Sequence, residues 1–474
     1  MLVPAAVATV VFAVLCFQQQ LFFDGDTGWH LANGRLILAT GRVPVTDPFS
    51  FTRPGAPWVT HEWLAEVAMQ LVFQAGGWAG LAIMFGAAAA SLCLILGRAF
   101  SRWLPPVRVL IALLLVAIVL APFALARPHL LAWPILAAWT LMLMRASDTG
   151  RAPPLAAAAI MLVWANSHGS FLLGLLLIAP FALESVFAAP RRGAALAGWA
   201  AFSSAAALAT LVTPNGIDGV LFPLQVSGMS TLGLITEWRP TSLKRDITFA
   251  IPFATTVGVL LWNRVRLSPI RLLLLVVLVW MAFAHVRHQA MLAIIGSLLL
   301  ARPLSERLAR TPAPAVAAGR LPYRALLAGV PVVMVVVVAI RLAVPMQPAD
   351  SINNPVRAIA AVPPDLHRAP VFNDYNFGGS LILAGVRPFI DGRADMYGDA
   401  FVRDFDAAAN GDDAAFAAAV RRWGIRWTIL MPRSPLVARL DATPGWRRVH
   451  ADRWAVIHAT DAPPAPLKAI DHDG

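Results

Sequence analysis

Eleven apolar, almost uncharged runs recur along the chain, and each is suited to crossing a lipid bilayer. A helix needs roughly 20 such residues to span the hydrocarbon core, so the shorter runs must borrow flanking residues. At 58% hydrophobic and 14% charged residues, the chain is too apolar for a soluble enzyme. We therefore predict an α-helical polytopic membrane protein with about 11 transmembrane helices. The runs lie at about 3–23, 80–96, 109–125, 130–144, 155–165, 171–187, 194–212, 249–262, 272–284, 290–301 and 325–340.

Arginine predicts the orientation of these spans, because positively charged connections stay on the cytoplasmic side. The arginine-bearing breaks alternate with breaks that hold histidine and acidic residues, which places the N-terminus inside and the C-terminal segment outside. Arginine also outnumbers lysine 36 to 2, which is typical of a GC-rich bacterial genome. We predict a multi-pass protein of the bacterial cytoplasmic (inner) membrane. The predicted inner breaks are 98–108, 145–151, 191–192, 264–271 and 302–324.

The formal charge of +12 resembles a signal for nucleic-acid binding, but its distribution excludes that function. From residue 350 onward the basic and acidic residues nearly balance, and the excess lies in the inner breaks, as the topology requires. Both cysteines, Cys16 and Cys93, fall in predicted spans, so a disulfide framework is not expected.

The pattern divides the chain into three parts. Residues 1–345 form the predicted transmembrane domain, with a long first outer loop at 24–79 that carries two amphipathic helices, 27–39 and 61–73, on the membrane surface. Residues 346–460 form a predicted extracytoplasmic α/β domain, and 461–474 a disordered tail. The predicted strands of that domain are 370–373, 388–391, 427–431 and 453–458, and its predicted helices are 379–385, 412–423 and 434–440.

Six of the ten histidines lie in the hydrophobic part of the chain, and the topology places all six on the outer side. Each has polar neighbours, and the opposite side shows nothing comparable. This one-sided distribution predicts a polar site at the outer membrane surface. The six are His30, His61, His129, His168, His285 and His288.

Two acidic motifs of the first outer loop are candidates for catalysis. Asp24 and Asp26 flank a glycine directly after the first span, where they could hold a divalent cation or act as general base and orienting group. The alternative is capping of the following helix. His61 and Glu62 open the second helix of the loop and have the same two interpretations, and Glu66 lies one turn further on the face of Glu62.

Arginines beside the other outer breaks are candidates for binding phosphate, because a guanidinium contacts two oxygens at once. The candidates are Arg127, Arg239 and Arg287. Glu237 adds an acid beside one of them, and a local ion pair is the alternative there. His129, Asn166, His168, His285 and His288 complete the predicted polar site, although a lone histidine at a helix end is usually an interfacial or packing residue.

Polar loops also follow two predicted strands of the C-terminal domain, at 373–376 and 391–395. Loops at strand ends often carry sites, but asparagine and aspartate are ordinary turn-forming residues. The structural interpretation is favoured for both loops.

The order of these features resembles the C-type glycosyltransferase superfamily. A first span ending in acids, a long outer loop, a polytopic bundle and an outer α/β tail are shared with protein mannosyltransferases, the aminoarabinose transferases of lipid A and the catalytic subunit of oligosaccharyltransferase. The stretches Asp24-Gly-Asp-Thr-Gly-Trp-His-Leu, 41–52, His61-Glu-Trp-Leu and 389–397 are similar to a largely uncharacterised bacterial branch. The resemblance implies a polyprenyl-phosphate-linked sugar donor and a catalytic acid in the first outer loop, with Asp24 as general base.

The same resemblance makes Asp26 an orienting residue or a ligand, together with Asp24, of Mg²⁺ or Mn²⁺, and leaves the acceptor unmatched to any motif. The leading hypothesis is a membrane glycosyltransferase. A lipid-anchored donor also agrees with the absence of a predicted cytoplasmic domain that could bind a nucleotide sugar. The alternatives are a non-catalytic scaffold or sensor whose C-terminal domain binds a partner, and a lipid or polysaccharide transporter, which the scarcity of mid-membrane acids disfavours.

Overall fold

A computed structural model describes residues 2–308 and 323–461. Its contacts divide the chain into two compact units, which are described separately. The helices, in chain order, are α1 (Leu2–Phe17), α2 (Asp26–Thr40), α3 (Trp63–Phe100), α4 (Pro106–Leu120), α5 (Pro128–Asp148), α6 (Ala159–Ala165), α7 (Phe171–Leu176), α8 (Ile178–Ala188), α9 (Arg192–Leu211), α10 (Gly216–Ser227), α11 (Ile247–Trp262), α12 (Pro269–Ala284), α13 (Gln289–Met291), α14 (Ser297–Leu308), α15 (Tyr323–Ala343), α16 (Val356–Ala360), α17 (Gly378–Leu383), α18 (Ala394–Ala409), α19 (Asp413–Trp423) and α20 (Pro435–Ala442).

The first unit, residues 1–18, 75–223 and 235–346, is helical in its described part. Within the described residues, five helices are long and apolar enough to cross a membrane, namely Trp63–Phe100, Pro106–Phe123, Pro128–Asp148, Phe171–Ala188 and Arg192–Leu211. Shorter apolar helices lie at Leu2–Phe17, Leu155–Ala165, Ile247–Trp262, Pro269–Ala284 and Leu327–Ala343. Ten of the predicted runs therefore coincide with apolar helices, while their exact number as spans stays a prediction.

The remaining predicted run, 290–301, lies in a helical stretch made of α13, a π-helical turn at Leu292–Gly296, and α14. One extra residue per turn shifts the side chains that follow relative to a regular α-helix. Ile294, Ile295 and Leu299 are fully buried along this stretch. The run is therefore packed inside the helical unit.

The second unit, residues 19–74, 224–234 and 347–474, contains a four-stranded sheet. Strands β1 (Val371–Asn373) and β2 (Trp427–Leu430) are parallel, whereas β4 (Val456–Thr460) is antiparallel to both β2 and β3 (Trp446–Ala451). The strand order is β1-β2-β4-β3. Every residue of β1, β2 and β4 is buried, which agrees with their continuous apolar character.

The predicted strand 388–391 is wrong. Its backbone forms no ladder, because the side chain of Asn373 bonds to it from the end of β1. Asn373 Nδ2 donates to the Ile390 carbonyl at 2.8 Å, and Asn373 Oδ1 accepts from the Phe389 amide at 2.8 Å. The elements β3, α16 and α18 were not predicted from the sequence. The predicted disordered tail falls, apart from residue 461, outside the described residues.

The first outer loop also differs from the prediction. Its residues 19–74 belong to the same compact unit as the C-terminal domain, whereas the sequence analysis assigned 24–79 to the transmembrane domain. The helix α2 is not a surface helix with one buried face, because polar residues on it are buried as well, including His30 and Asn33. The second helix of the loop continues as α3, past a non-helical residue at Gly77.

Candidate functional site

The Asp-Gly-Asp motif forms the turn that opens α2. The N-cap residue of α2 is Gly25, and the Asp26 amide donates to Oδ1 of Asp24 at 2.8 Å, so Asp24 bonds to the first turn of the helix from the residue before the cap. Asp26 itself is 9% exposed, whereas Asp24 is half-buried. The capping interpretation therefore has a geometric basis, and the more accessible carboxylate of the two is that of Asp24.

Glycines bring this turn against the C-terminal domain within the second unit. A Cβ atom at Gly28 would lie 2.3 Å from the carbonyl oxygen of Gly379, and a Cβ atom at Gly392 would lie 2.2 Å from Oδ1 of Asp26. No side chain can be tolerated at such distances without movement of the backbone or of the buried carboxylate. The motifs at 24–28, 378–379 and 391–395, distant in sequence, are thus parts of one packed region.

Behind this turn, α2 and the start of α3 bring a histidine and two glutamates together. Nδ1 of His30 lies 3.0 Å from Oε1 of Glu66, and its Nε2 lies 3.8 Å from Oε2 of Glu62. Asn33 Nδ2 donates to the other oxygen of Glu66 at 2.5 Å. The His30 and Glu66 side chains are each 1% exposed and that of Glu62 is 12% exposed. Two buried carboxylates one helical turn apart repel each other, so a proton or a cation must accompany them.

The geometry of this cluster suits a metal ion. One ligand atom from each of His30, Glu62 and Glu66 lies within 4.8 Å of the others. In residues 2–308 and 323–461 this is the one group of three such ligands, and it includes neither Asp24 nor Asp26. A mixed imidazole and carboxylate set is suited to Mn²⁺ or Zn²⁺ more than to Mg²⁺, which prefers oxygen ligands alone.

His61 joins this cluster from the other side of Glu62. Its Nε2 lies 3.6 Å from Oε1 of Glu62. Burial lowers the pKa of His61, but the charge and hydrogen bond of Glu62 and the charge of Asp395 outweigh it and raise that pKa above its usual value. Burial in turn raises the pKa of Asp395, against the charges of His61 and Arg393. Burial and the charge of Glu62 also raise the pKa of Glu66 well above its usual value, so both His61 and Glu66 favour their protonated forms.

A buried ion network joins the proline-rich part of the first loop to the C-terminal domain. Arg393 forms two bonds to Asp391, both 2.7 Å, and a third of 2.8 Å to Oδ1 of Asp47. The Tyr397 hydroxyl donates to Asp391 at 2.8 Å, and the Arg393 guanidinium lies 4.6 Å from the ring centroid of Trp58. The structural interpretation of the 391–395 loop is supported by these contacts, which fix the position of the loop beside Asp26.

The first unit gathers a second group of predicted residues. Arg127 forms an ion pair with Glu237, and the Arg287 guanidinium lies 4.5 Å from the ring centroid of Trp238. Burial raises the pKa of Glu237, but the charges of Arg127, Arg287 and His129 lower it to about 2. Two guanidinium groups thus share one carboxylate, which leaves net positive charge in this group.

Histidines surround that group. His285 Nδ1 lies 2.7 Å from the Trp238 carbonyl oxygen, and the rings of His285 and His288 are 5.5 Å apart. Burial and the charge of Arg287 lower the pKa of His288 to about 4, so it is neutral near pH 7. The rings of His129 and His168 are 6.3 Å apart. The breaks at 126–129, 166–170, 236–239 and 285–289 therefore lie close together within the first unit.

Two predicted residues have local partners instead. Arg239 forms a bidentate pair with Asp246 and lowers the pKa of that carboxyl. Asn166 Nδ2 donates to the carbonyl oxygens of Leu162 and Val212, at 2.8 and 3.0 Å, and so joins the ends of α6 and α9. These bonds support structural roles for both residues.

Asn33, which donates to Glu66, was not singled out from the sequence. It carries no spacing that separates it from an ordinary helix residue. Arg393 and Asp395 lie in the 391–395 loop, for which the structural interpretation was favoured, and Asp47 lies in the 41–52 stretch that carries the resemblance.

Comparison with known proteins supports the fold. No family model and no curated protein matches the chain. Among solved structures, the archaeal oligosaccharyltransferase AglB from Archaeoglobus fulgidus, in complex with an inhibitory peptide and a dolichol-phosphate, matches 90% of this chain and 69% of its own at 11% identity, with a TM-score of 0.55. ArnT from Cupriavidus metallidurans, bound to undecaprenyl phosphate, matches 98% of both chains at 15% identity, with a TM-score of 0.49. The likeness to AglB shows that this chain shares the fold of that protein.

Proposed function

We propose that this protein is a membrane glycosyltransferase that moves a sugar from a polyprenyl-phosphate-linked donor to an acceptor on the outer face of the cytoplasmic membrane. The observation that carries the proposal is the C-type glycosyltransferase fold, together with the half-buried carboxylate of Asp24 in the first outer loop. A fold alone does not define an activity, so the assignment depends on the chemistry of the two residue groups.

Asp24 is the proposed general base. Attack by an acceptor hydroxyl on the anomeric carbon requires a group that takes the hydroxyl proton, and a carboxylate can do so. Asp24 is more accessible than Asp26, whose carboxylate is packed against Gly392. We assign to Asp26 the positioning of the turn, and to His61 and Glu62 a hydrogen-bonded pair that supports the same region from α3.

Arg127 and Arg287 are the proposed ligands of the donor phosphate. Their shared partner Glu237 balances one of the two positive charges, and His288 is neutral near pH 7, so the group keeps an excess of positive charge. A phosphate oxyanion would be stabilised there, and so would the charge that grows on it when the sugar leaves. Arg239, held by Asp246, is the weakest of the three original candidates.

A divalent cation is proposed at His30, Glu62 and Glu66, in place of the pair Asp24 and Asp26. A cation there would neutralise two buried carboxylates and so hold α2 against the start of α3. Its chemical contribution, when it is bound, is to fix this part of the first loop. The proton transfer remains with Asp24.

One observation favours the alternative of a non-catalytic scaffold. The bond from the Asp26 amide to Asp24 gives Asp24 a structural reason to be present even without catalysis. A scaffold would preserve the buried network of Arg393 and would turn over no donor.

The direct test is an assay of purified protein in lipid nanodiscs for release of polyprenyl phosphate from a panel of lipid-linked sugars. We expect release from at least one donor, dependent on an added acceptor extract, with the Asp24→Asn variant as the matched control. Release that is equal in wild type and Asp24→Asn, or absent with every donor while undecaprenyl phosphate still binds, would favour the scaffold.

A further inference from the structure

A cavity at the ends of α3 and α5 in the first unit carries a concentration of positive charge outside the groups described above. It has a volume of about 490 Å³ and is bordered by Arg98, Arg145 and Arg151. Arg98 lies in the last turn of α3 and Arg145 in the last turn of α5. Both helices are long and apolar enough to span a membrane, so these arginines lie at the level where a span meets the lipid headgroups.

Apart from Thr149, the rest of the cavity wall is apolar. Ile95, Leu141 and Met142 line it on the side of the spans, and proline residues close it on the side of the loop. A ligand that matches both halves must have an anionic head and hydrocarbon attached to it. A free anion would contact only the arginine border.

The charge of this border is not balanced by protein acids. Within residues 2–308 and 323–461, neither Arg98, Arg145 nor Arg151 forms an ion pair, and the charges of Arg98 and Arg102 both act on Arg145. The nearest acid in sequence, Asp148, pairs instead with Arg271 at 2.5 Å. Like charges held together at a membrane surface favour the binding of an anion between them.

The alternative interpretation is that Arg98 and Arg145 are ordinary cytoplasmic-side arginines that interact with the negative ends of helix dipoles. That interpretation accounts for each arginine singly. It does not account for their convergence, with Arg151, on one cavity that has an apolar wall. Arg191 and Arg192, at the start of α9, do not line this cavity.

We propose that this cavity binds an anionic phospholipid. Its phosphate lies between the guanidinium groups of Arg98, Arg145 and Arg151, and the upper part of an acyl chain lies against Leu141 and Met142. Basic pockets between transmembrane helices bind anionic headgroups in this way. Bound lipid would join the ends of α3 and α5, since each helix contributes one arginine to the same phosphate.

Native mass spectrometry of the purified full-length chain tests the proposal, with an equimolar mixture of phosphatidylglycerol and phosphatidylcholine. We expect preferential retention of phosphatidylglycerol by wild type. Each arginine near an anionic headgroup contributes about fivefold in partition, so the double variant Arg98→Gln/Arg145→Gln should lose most of that preference. The double variant Arg191→Gln/Arg192→Gln removes the same charge elsewhere and should keep it.

A second measurement separates a lipid from a free phosphate. Phosphatidylglycerol should raise the thermal unfolding midpoint of wild type and not that of Arg98→Gln/Arg145→Gln, whereas inorganic phosphate should raise neither. Three results would each overturn the proposal. They are equal retention of both lipids by wild type, an equal loss of the preference for phosphatidylglycerol in the two double variants, and the same midpoint shift with inorganic phosphate as with phosphatidylglycerol.

Discussion

Nδ1 of His30 lies 3.0 Å from Oε1 of Glu66, across 36 residues of sequence and with both side chains 1% exposed. The second oxygen of Glu66 accepts from Asn33, so α2 is joined to α3 through polar atoms in a buried region. Buried polar groups of this kind define one relative position of two helices, because any other position leaves the polar groups without hydrogen-bond partners. The contact also places the imidazole Nε2 towards Glu62.

The first prediction concerns metal binding by this cluster. Glu66→Gln removes one ligand charge while keeping the side-chain shape, so the purified protein should lose most of its bound Mn²⁺ or Zn²⁺. Elemental analysis after dialysis against each metal measures the content. Glu306→Gln, on α14, alters an exposed glutamate and should leave it unchanged. Equal metal content in both variants, or no metal in wild type, would contradict metal binding here and would mean that protons balance the charge of the carboxylates.

The second prediction concerns the buried network of Arg393. Arg393→Lys keeps the charge but cannot form the fork to Asp391 together with the bond to Asp47. We expect a loss of about 3 kcal/mol in the free energy of unfolding, because breaking a buried ion pair leaves carboxylates without partners. Thermal unfolding measures it, and Arg421→Lys on the exposed part of α19 is the control. An unchanged midpoint in Arg393→Lys would contradict a stabilising role.

Much of this architecture could be predicted from sequence, because it depends on periodicity. Apolar runs specify membrane helices, and short buried runs at 371–373 and 427–430 specify strands. The prediction of a strand at 388–391 failed for a physical reason. The backbone of this segment bonds to the side-chain amide of Asn373 and not to a neighbouring strand. Hydrophobic periodicity indicates which face of a segment is buried, but it does not indicate which group forms hydrogen bonds with the backbone of that segment.

The candidate site could be predicted less completely. Asp24, His30, His61 and Glu62 were singled out because they cluster in the first outer loop. Their partner Asn33 was not, and Asp395 was interpreted as a turn residue, because each role depends on a contact between elements far apart in sequence. Likewise, the sequence could not separate Arg239 from the other two arginines, since its partner Asp246 was one of several acids in reach.

The third prediction separates the arginines. Arg287→Lys should weaken binding of undecaprenyl phosphate by about tenfold, because an ammonium group cannot contact two phosphate oxygens in the forked geometry. Arg239→Lys should change it little, since Arg239 is already bound to Asp246. Titration of the lipid phosphate onto each purified variant measures the affinity. A larger loss in Arg239→Lys than in Arg287→Lys would reverse the assignment.

The fourth prediction is a pH dependence. Burial and Arg287 lower the pKa of His288 from 6.5 to about 4. Between these values the unfolded chain binds a proton that the folded chain does not, so His288 favours unfolding increasingly as pH falls from 6.5 towards 4. The thermal midpoint of wild type should therefore fall more between pH 7 and pH 5 than that of His288→Gln. Parallel pH profiles of the two proteins would exclude this contribution.

The last prediction concerns Asp24, where capping and catalysis coincide. Asp24→Asn keeps a side-chain oxygen that accepts from the Asp26 amide, so the turn that opens α2 should remain intact. The amide cannot take a proton from an acceptor hydroxyl at neutral pH, so sugar transfer should fall by at least about a hundredfold. Binding of undecaprenyl phosphate and the unfolding midpoint should both stay close to wild type. Asp24→Ala, which removes the cap as well, should lower the midpoint by an amount equivalent to about 1 kcal/mol and should be no less inactive. Wild-type turnover in Asp24→Asn would restrict Asp24 to capping and require another base.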